Sequence, residues 1–215
     1  MTRVVAAHDW SEHGVCPAET THVGELARVL ARSFHDDPVH RWLFSDPARM
    51  ERRHADFFAH LLAYYMRTML VLTTPALEGA ALWEPPRAEP RVLDQLRLTW
   101  RIAGALGWRA LRVGVSFSEL PRLHPPGPHW YLAVLGTDPR RQGNGVGARL
   151  MRAVLARCDA EGVPAYLEAS REENVPYYRR FGFEVIAPYP LPGGPTVWRM
   201  VRKAECECGM SNFEC

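Results

Sequence analysis

The sequence predicts an α/β domain with a mixed central sheet of about six to seven strands and flanking helices. Three observations predict it. The last third alternates strand, glycine-bearing loop, amphipathic helix and strand, then closes on a hairpin signal. The middle carries two short strand-like runs, and the first third carries apolar residues at helical spacing. At 215 residues, 47% hydrophobic and 23% charged, the chain suits one domain with a sizeable core.

The elements follow in order. Val4 to Ala7 is a short apolar run suited to an edge strand. Residues 21–34 read as a helix capped by Thr21, with Val23, Leu26, Leu30 and Phe34 on one face. His35-Asp36-Asp37-Pro38 ends it, because the residue before a proline is pushed out of the helical region. A second helix spans about 47–67, where Phe58, Leu61, Leu62 and Tyr65 recur with helical period. Strands are expected at 69–74 and 79–85. Residues 86–128 are bounded by prolines and carry Leu93, Leu96 and Trp100 at helical spacing, which reads as a helical insertion. A strand at 129–136, a polar loop at 137–145 and a helix at 146–160 come next, the helix stopped by Gly162. Then come a strand at 165–170, a short helix at 174–182 and strands at 183–190 and 196–203, with Leu191-Pro192-Gly193-Gly194 as a turn. Residues 1–203 are thus expected to form one domain, and 204–215 a disordered tail.

Composition excludes several functions. The net charge of +2 gives no bulk grip on nucleic acid or a membrane surface. Of the 26 basic residues only Lys203 is a lysine, so a phosphate-binding or Schiff-base lysine is effectively excluded. No apolar run is long enough to span a bilayer, and the first residues lack the apolar core of a signal peptide. Five cysteines without framework spacing suggest a reducing, cytoplasmic setting. The nine histidines form no close pair on one expected helix face, and Cys206, Cys208 and Cys215 are too sparse for a zinc site, so no metal is expected. No G-x-S-x-G elbow is present.

Chemistry concentrates at Gly143-Asn144-Gly145-Val146-Gly147-Ala148, after a strand and before a helix. Glycines admit a phosphate close to backbone amides, and a helix start adds partial positive charge. The string matches a dinucleotide fingerprint, with Glu168 twenty residues beyond Ala148 as a ribose acid. Against that reading, Thr137 to Gln142 separate strand from glycines, the upstream half lacks a βαβ unit, and the following segment holds a hairpin.

A better match is Gln142-x-x-Gly145-x-Gly147, followed by a β-α-β unit and Asn174…Tyr178-x-x-x-Gly182-Phe183. Over about residues 129–203 this resembles the GCN5-related N-acetyltransferase (GNAT) superfamily. His129 to Pro139, Tyr166 to Tyr178, Gly194 to Met200, Phe34 to Phe44 and Gly79 to Pro86 look similar to its puromycin N-acetyltransferase type.

The resemblance implies a GNAT fold whose splayed strand pair binds acetyl-CoA as co-substrate. It implies a pyrophosphate cradle at Arg141, Gln142, Gly143, Asn144, Gly145, Val146 and Gly147, with Arg140 and Arg141 adding charge. It implies pantetheine pairing at Leu135, Gly136 and Thr137, where Gly136 suits a bulge or a close backbone approach. Asn174 would hydrogen-bond the donor, and Tyr178 would act as general acid for the leaving thiolate. Glu168, a lone charge in an apolar strand, is the best candidate for the base, or else a structural acid paired with an arginine such as Arg171 or Arg180; Glu84, Asp36 and His35 are weaker candidates for the base. Phe34, Trp83, Tyr131 and Tyr177 are candidate walls of the acceptor pocket, with Trp42 a further aromatic. The expected acceptor is a small-molecule amine, an antibiotic among the options, taken by a monomer or homodimer. A protein or peptide N-terminus, or a non-catalytic acyl-CoA sensor, stays open.

Overall fold

The computed structural model describes residues 9–44, 47–86, 98, 100 and 120–205. The expected strand at Val4–Ala7, most of the insertion at 86–128 and tail residues 206–215 lie outside the described residues. Seven strands build one mixed sheet: β1 (Cys16–Pro17), β2 (Leu70–Thr73), β3 (Gly79–Glu84), β4 (Trp130–Thr137), β5 (Ala165–Ala169), β6 (Glu184–Pro190) and β7 (Thr196–Arg202). Their order across the sheet is β1-β2-β3-β4-β5-β7-β6. Among the described residues these helices flank it: α1 (Val23–Ser33), α2 (Pro38–Leu43), α3 (Pro47–Thr68), α4 (Val146–Glu161) and α5 (Val175–Arg179). Among the described residues no helix is long and apolar enough to cross a membrane.

Two details of the helices differ from expectation. Thr21 is not a cap. It lies in a single 3-10 turn, Thr20–His22, whose cap is Glu19, and α1 starts after it. The Asp37-Pro38 stop is also a start. Asp37 Oδ1 accepts from the amides of Val39 (2.9 Å) and His40 (3.1 Å), and Pro38 fits the first turn, where no N–H is needed. So α2 forms where only a break was expected.

The sheet divides two apolar layers. α4 packs on one face, with Leu150, Met151, Ala153 and Val154 against Leu72, Trp83, Trp130 and Leu167. α1 and α3 pack on the other, with Leu26, Leu30, Phe58 and Leu62 against Val71, Ala80 and Leu82. Strand alternation explains the split: Ala81 and Trp83 face α4, while Ala80 and Leu82 face α1 and α3. A small third cluster seats Val39 and Leu43 of α2 on Leu191 and Val197 of the β6–β7 hairpin.

β4 breaks its own alternation. Leu82 pairs with Val134 and Trp83 with Leu132, leaving Ala133 as an extra residue. Trp130 and Leu132 therefore face the α4 layer while Val134 faces the other. The bulge is at Ala133, not at Gly136. Gly136 instead permits a close approach of α1. A Cβ there would sit 2.6 Å from Leu30 Cδ2 and 3.0 Å from Phe34 Cε2.

The bulge coincides with a parting of strands. β4 and β5 run parallel and pair only at Trp130–Ala165, Tyr131–Tyr166 and Leu132–Leu167. Beyond Leu132, β4 pairs only with β3, and beyond Leu167, β5 pairs only with β7. The facing edges of the two strands are left without strand partners. The α1–α2 turn reaches across this wedge. Asp37 accepts a hydrogen bond from Ser170 Oγ, and Arg171 donates to the Asp36 carbonyl.

Candidate active site

A cleft of about 780 Å³ opens beside the parted strands, within the size range of ligand sites. Its floor is the glycine loop and the start of α4. Gly143 (φ 82°) and Gly145 (φ 73°) take left-handed backbone that other residues avoid, and a Cβ on either would meet open space. The constraint there is conformational rather than steric. Gly145 is the N-cap of α4 and has no side chain to satisfy the first amides. The first amide bonded back along the helix is Arg149 N to Gly145 O, 3.0 Å. The amides of Val146, Gly147 and Ala148 precede it and have no acceptor within their own helix. A helix start of this kind suits an anionic group such as a pyrophosphate.

Leu135, Thr137, Arg141, Gln142, Gly143, Gly145, Val146, Gly147 and Asn174 line the cleft, as do Phe34, Tyr177 and Tyr178. Asn144 and Gly136 are outside the lining: Asn144 is exposed on the loop, and Gly136 is turned onto α1. The amide of Thr137 donates to Ser33 Oγ at 3.2 Å. Tyr177 rests its hydroxyl over the first turn of α4, since a Cβ on Gly147 would lie 2.7 Å from it.

Tyr178 sits behind Tyr177 (ring centroids 5.3 Å apart) and packs on Phe183 (6.2 Å). Burial, with Tyr177 and Asp37 nearby, pushes its phenol above the usual range. It therefore stays protonated at neutral pH and can give a proton to a developing thiolate.

The two arginines before the loop differ. Arg140 is bound to Asp138 by its Nε (3.1 Å) and Nη2 (2.9 Å), and lies outside the cleft lining. Arg140 and Arg32 hold the Asp138 carboxyl well below the usual range although its burial opposes this. Arg141 lines the cleft, with only a 3.6 Å contact to Glu78. Arg171 and Arg180, expected as partners of a structural Glu168, instead border the cleft, as does Arg152, which went unremarked in the sequence. Arg152 stands one turn and a half beyond the glycines, where helical spacing from Ala148 brings it back to the same face.

Glu168 lies in a second group, around the last rungs of the β4–β5 pairing. Its side chain is 8% exposed. Burial pushes its carboxyl up to about 7, although Tyr131, Tyr166 and Arg199 favour the charged form. Its Oε1 has no hydrogen-bond partner among the described residues. Tyr131 and Tyr166 lie 5.9 Å apart with His124 against both, at 4.5 and 4.7 Å. Glu84, also raised by burial, accepts from Tyr65 Oη at 2.5 Å and adds a second buried carboxyl. An aromatic cluster with two acids has the chemistry to attract an amine that arrives as a cation.

Trp83 takes no part in this cluster. It is 0% exposed in the core, edge-on to Trp130 at 6.5 Å, which corrects its assignment as a pocket wall. Trp42 likewise supports the β6–β7 turn, donating to the Gly193 carbonyl at 2.7 Å. The histidines do form close pairs. His40 and His54 meet at 2.7 Å across α2 and α3, and His124 and His129 at 3.0 Å around the Pro125–Pro128 turn. Neither pair shares a helix face, so helical spacing did not reveal them.

A model of the acetyltransferase (GNAT) family matches residues 91–183, which include the glycine loop, Glu168 and Tyr178. The mixed seven-stranded sheet with flanking helices is the GNAT fold. An uncharacterized N-acetyltransferase of Schizosaccharomyces pombe is 28% identical over 173 residues, 74% of this chain and 69% of that one. A mycothiol acetyltransferase of Brachybacterium faecium is 42% identical over 55 residues, only 24% of this chain and 17% of that protein. A solved structure described as histone acetyltransferase HPA2 and related acetyltransferase, from Corynebacterium glutamicum, superposes with a TM-score of 0.69 at 24% identity. That alignment covers 91% of this chain and 98% of the other. The Glu168 group shares no residue with the cleft lining.

Proposed function

We propose that the protein is an acetyl-CoA-dependent N-acetyltransferase that acetylates a small-molecule amine by direct attack. The observation that carries this reading is the convergence on one cleft of an uncapped α4 start, an unpaired β4 edge and the protonated phenol of Tyr178. Acetyl-CoA would supply an activated thioester. The chain's own residues would supply the rest. The loop from Arg141 to Gly147 would hold the pyrophosphate. The edge of β4 at Leu135 to Thr137, which has no strand partner on the β5 side, would align the pantetheine arm with Asn174. Holding the reacting atoms in register removes much of the entropic barrier to a bimolecular reaction. Tyr178 would protonate the leaving sulfur, and Glu168 would take the proton from the attacking nitrogen.

The acceptor is proposed as a primary amine on an aromatic or amphipathic body, bound between Tyr131, Tyr166 and the two carboxyls. The resemblance to the puromycin type puts amino-nucleoside antibiotics first for testing. The free thiols of Cys16 and Cys158 fit a reducing compartment, so the cytoplasm is the proposed location. The test has two stages. Acetyl-CoA, but not NAD(H), should raise the melting temperature. A thiol-release screen should then find turnover among amino-nucleosides, aminoglycosides, arylalkylamines and polyamines. A protein that binds acetyl-CoA and turns over none of these amines would instead be a sensor.

A further inference from the structure

A buried base must lose each proton it takes, and one line of side chains leads away from Glu168. We propose that His124 and His129 form a relay that carries the acceptor's proton from Glu168 to solvent. The proposal rests on the reading of Glu168 as the base.

The hydrogen bonds settle the tautomers. His129 Nδ1 lies 2.9 Å from the Gly127 carbonyl. A carbonyl only accepts, so Nδ1 carries the hydrogen. Neutral His129 then has its lone pair on Nε2, 3.0 Å from His124 Nδ1, and that atom must donate. Neutral His124 is left with its lone pair on Nε2, which lies 3.7 Å from Glu168 Oε1. The lone pair thus faces the one carboxyl oxygen that has no hydrogen-bond partner among the described residues. A carboxylate there gains nothing from His124. A protonated carboxyl has an acceptor waiting, once the ring closes the gap by about 0.7 Å.

The step balances. The N–H bond of the acceptor breaks as an O–H bond forms on Glu168. That bond breaks as His124 Nε2 gains the proton, and the hydrogen on His124 Nδ1 passes to His129 Nε2. His129, half-buried at the end of the Pro125–Pro128 turn, gives a proton to water. Exchange with water returns His124 to its Nδ1–H form, which the Gly127 anchor favours.

The setting keeps His124 neutral between turnovers. Burial, with His129 and Arg199, pushes His124 down to about 4, so it passes a proton without holding one. The groups that face Glu168 are Tyr131 of β4, Tyr166 of β5, Arg199 of β7, Glu84 of β3, Tyr65 of α3 and His124 itself. Arg199 also donates to the Leu123 carbonyl, which pins the segment that carries His124. The competing role for His124 is packing, as a lid on Tyr131 and Tyr166.

Nitrogen-15 NMR of the histidine rings in the whole protein separates the two roles. The relay requires His124 in the Nδ1–H form at pH 8. It also requires an Nε2 resonance that moves as pH falls through about 7 and stays still in Glu168→Gln. An Nε2–H form, or a resonance indifferent to Glu168→Gln, overturns it. Kinetics with the amine found by the screen add a second arm. His124→Ala should lower kcat about 10- to 100-fold. The KM for acetyl-CoA and the melting temperature should hold, and added imidazole should restore part of the rate. An unchanged kcat, or a loss that imidazole does not touch, overturns the relay. If Glu168→Gln itself turns over normally, the base assignment fails and the relay with it. If Glu168→Gln is slow and His124→Ala is not, the relay alone fails.

Discussion

The proposed donor and acceptor sides of the site are made differently. The donor side is backbone: two glycines in left-handed conformation, a helix start without a cap, and a strand edge without a neighbour. The acceptor side is side chain: Tyr65, Glu84, His124, Tyr131, Tyr166, Glu168 and Arg199, drawn from five elements and one loop. A backbone site needs a few conformationally special residues at fixed spacing. A side-chain site needs only that distant positions come together. The first tolerates many side chains and binds one constant ligand; the second sets which acceptor fits.

The sharpest way to break this division is at Glu168. Glu168→Gln keeps the shape and removes the base, so kcat should fall about 10²- to 10⁴-fold. The KM for acetyl-CoA should barely move, because the residue lies outside the donor cleft. The pH profile carries the sign. The carboxyl, raised to about 7, is protonated below that pH and cannot accept. Wild-type kcat/KM for the amine should therefore rise through about pH 7, and the variant should lose that limb. A variant with wild-type rate would make Glu168 structural.

Tyr178→Phe tests the donor side, the next effect in size. It removes one hydroxyl from a buried ring, so turnover should fall about 10²-fold while acetyl-CoA still raises the melting temperature. Equal turnover would move the acid elsewhere.

This contrast also explains what the sequence could show. The glycine loop, Asn174 and Tyr178 lie within 37 positions of one another in the sequence, and their spacing is itself the signal. Six of the seven strands described fall close to where alternation and turn residues put them. Glu168 stood out as a charge in an apolar strand. Glu84 stood out only as a weaker alternative, and Tyr65, His124 and Arg199 not at all, because they are joined by tertiary packing that no periodicity encodes. Trp83 was misread for the reverse reason: an aromatic beside a charged residue looks like a pocket wall, and the alternation of β3 turns it into the core. The bulge at Ala133 was hidden in an unbroken apolar run, where only the partner strand's register reveals an extra residue.

Gly136→Ala probes the link between the two sides. The added methyl would meet Leu30, which is 0% exposed and has nowhere to move, and the Ser33 hydroxyl that holds the Thr137 amide. Overpacking of this kind costs about 1–3 kcal/mol, read as a fall in melting temperature of roughly 2–4 °C per kcal/mol at this length. The same shift displaces the β4 edge, so the KM for acetyl-CoA should rise with it. Gly145→Ala meets no atom and carries only conformational strain, and so should cost less stability.

The smallest effect separates the two adjacent arginines. Their near-identical sequence contexts suggest equal roles, with both supplying the charge that Asn144 lacks. The structure divides them. Arg140 is committed to Asp138 through two nitrogens and points away from the cleft lining. Arg141 lines the cleft and keeps only a long contact with Glu78. Both are solvent-exposed, at 76% and 60%, so screening limits either contribution. Arg141→Ala should raise the KM for acetyl-CoA about two- to fivefold, with less effect at higher salt. Arg140→Ala should leave that KM unchanged, because Arg32 still holds Asp138 from the other side at 2.5 Å. Equal effects from both would mean that the loop senses net charge rather than one placed guanidinium. The donor side would then depend on side-chain charge as well as on backbone.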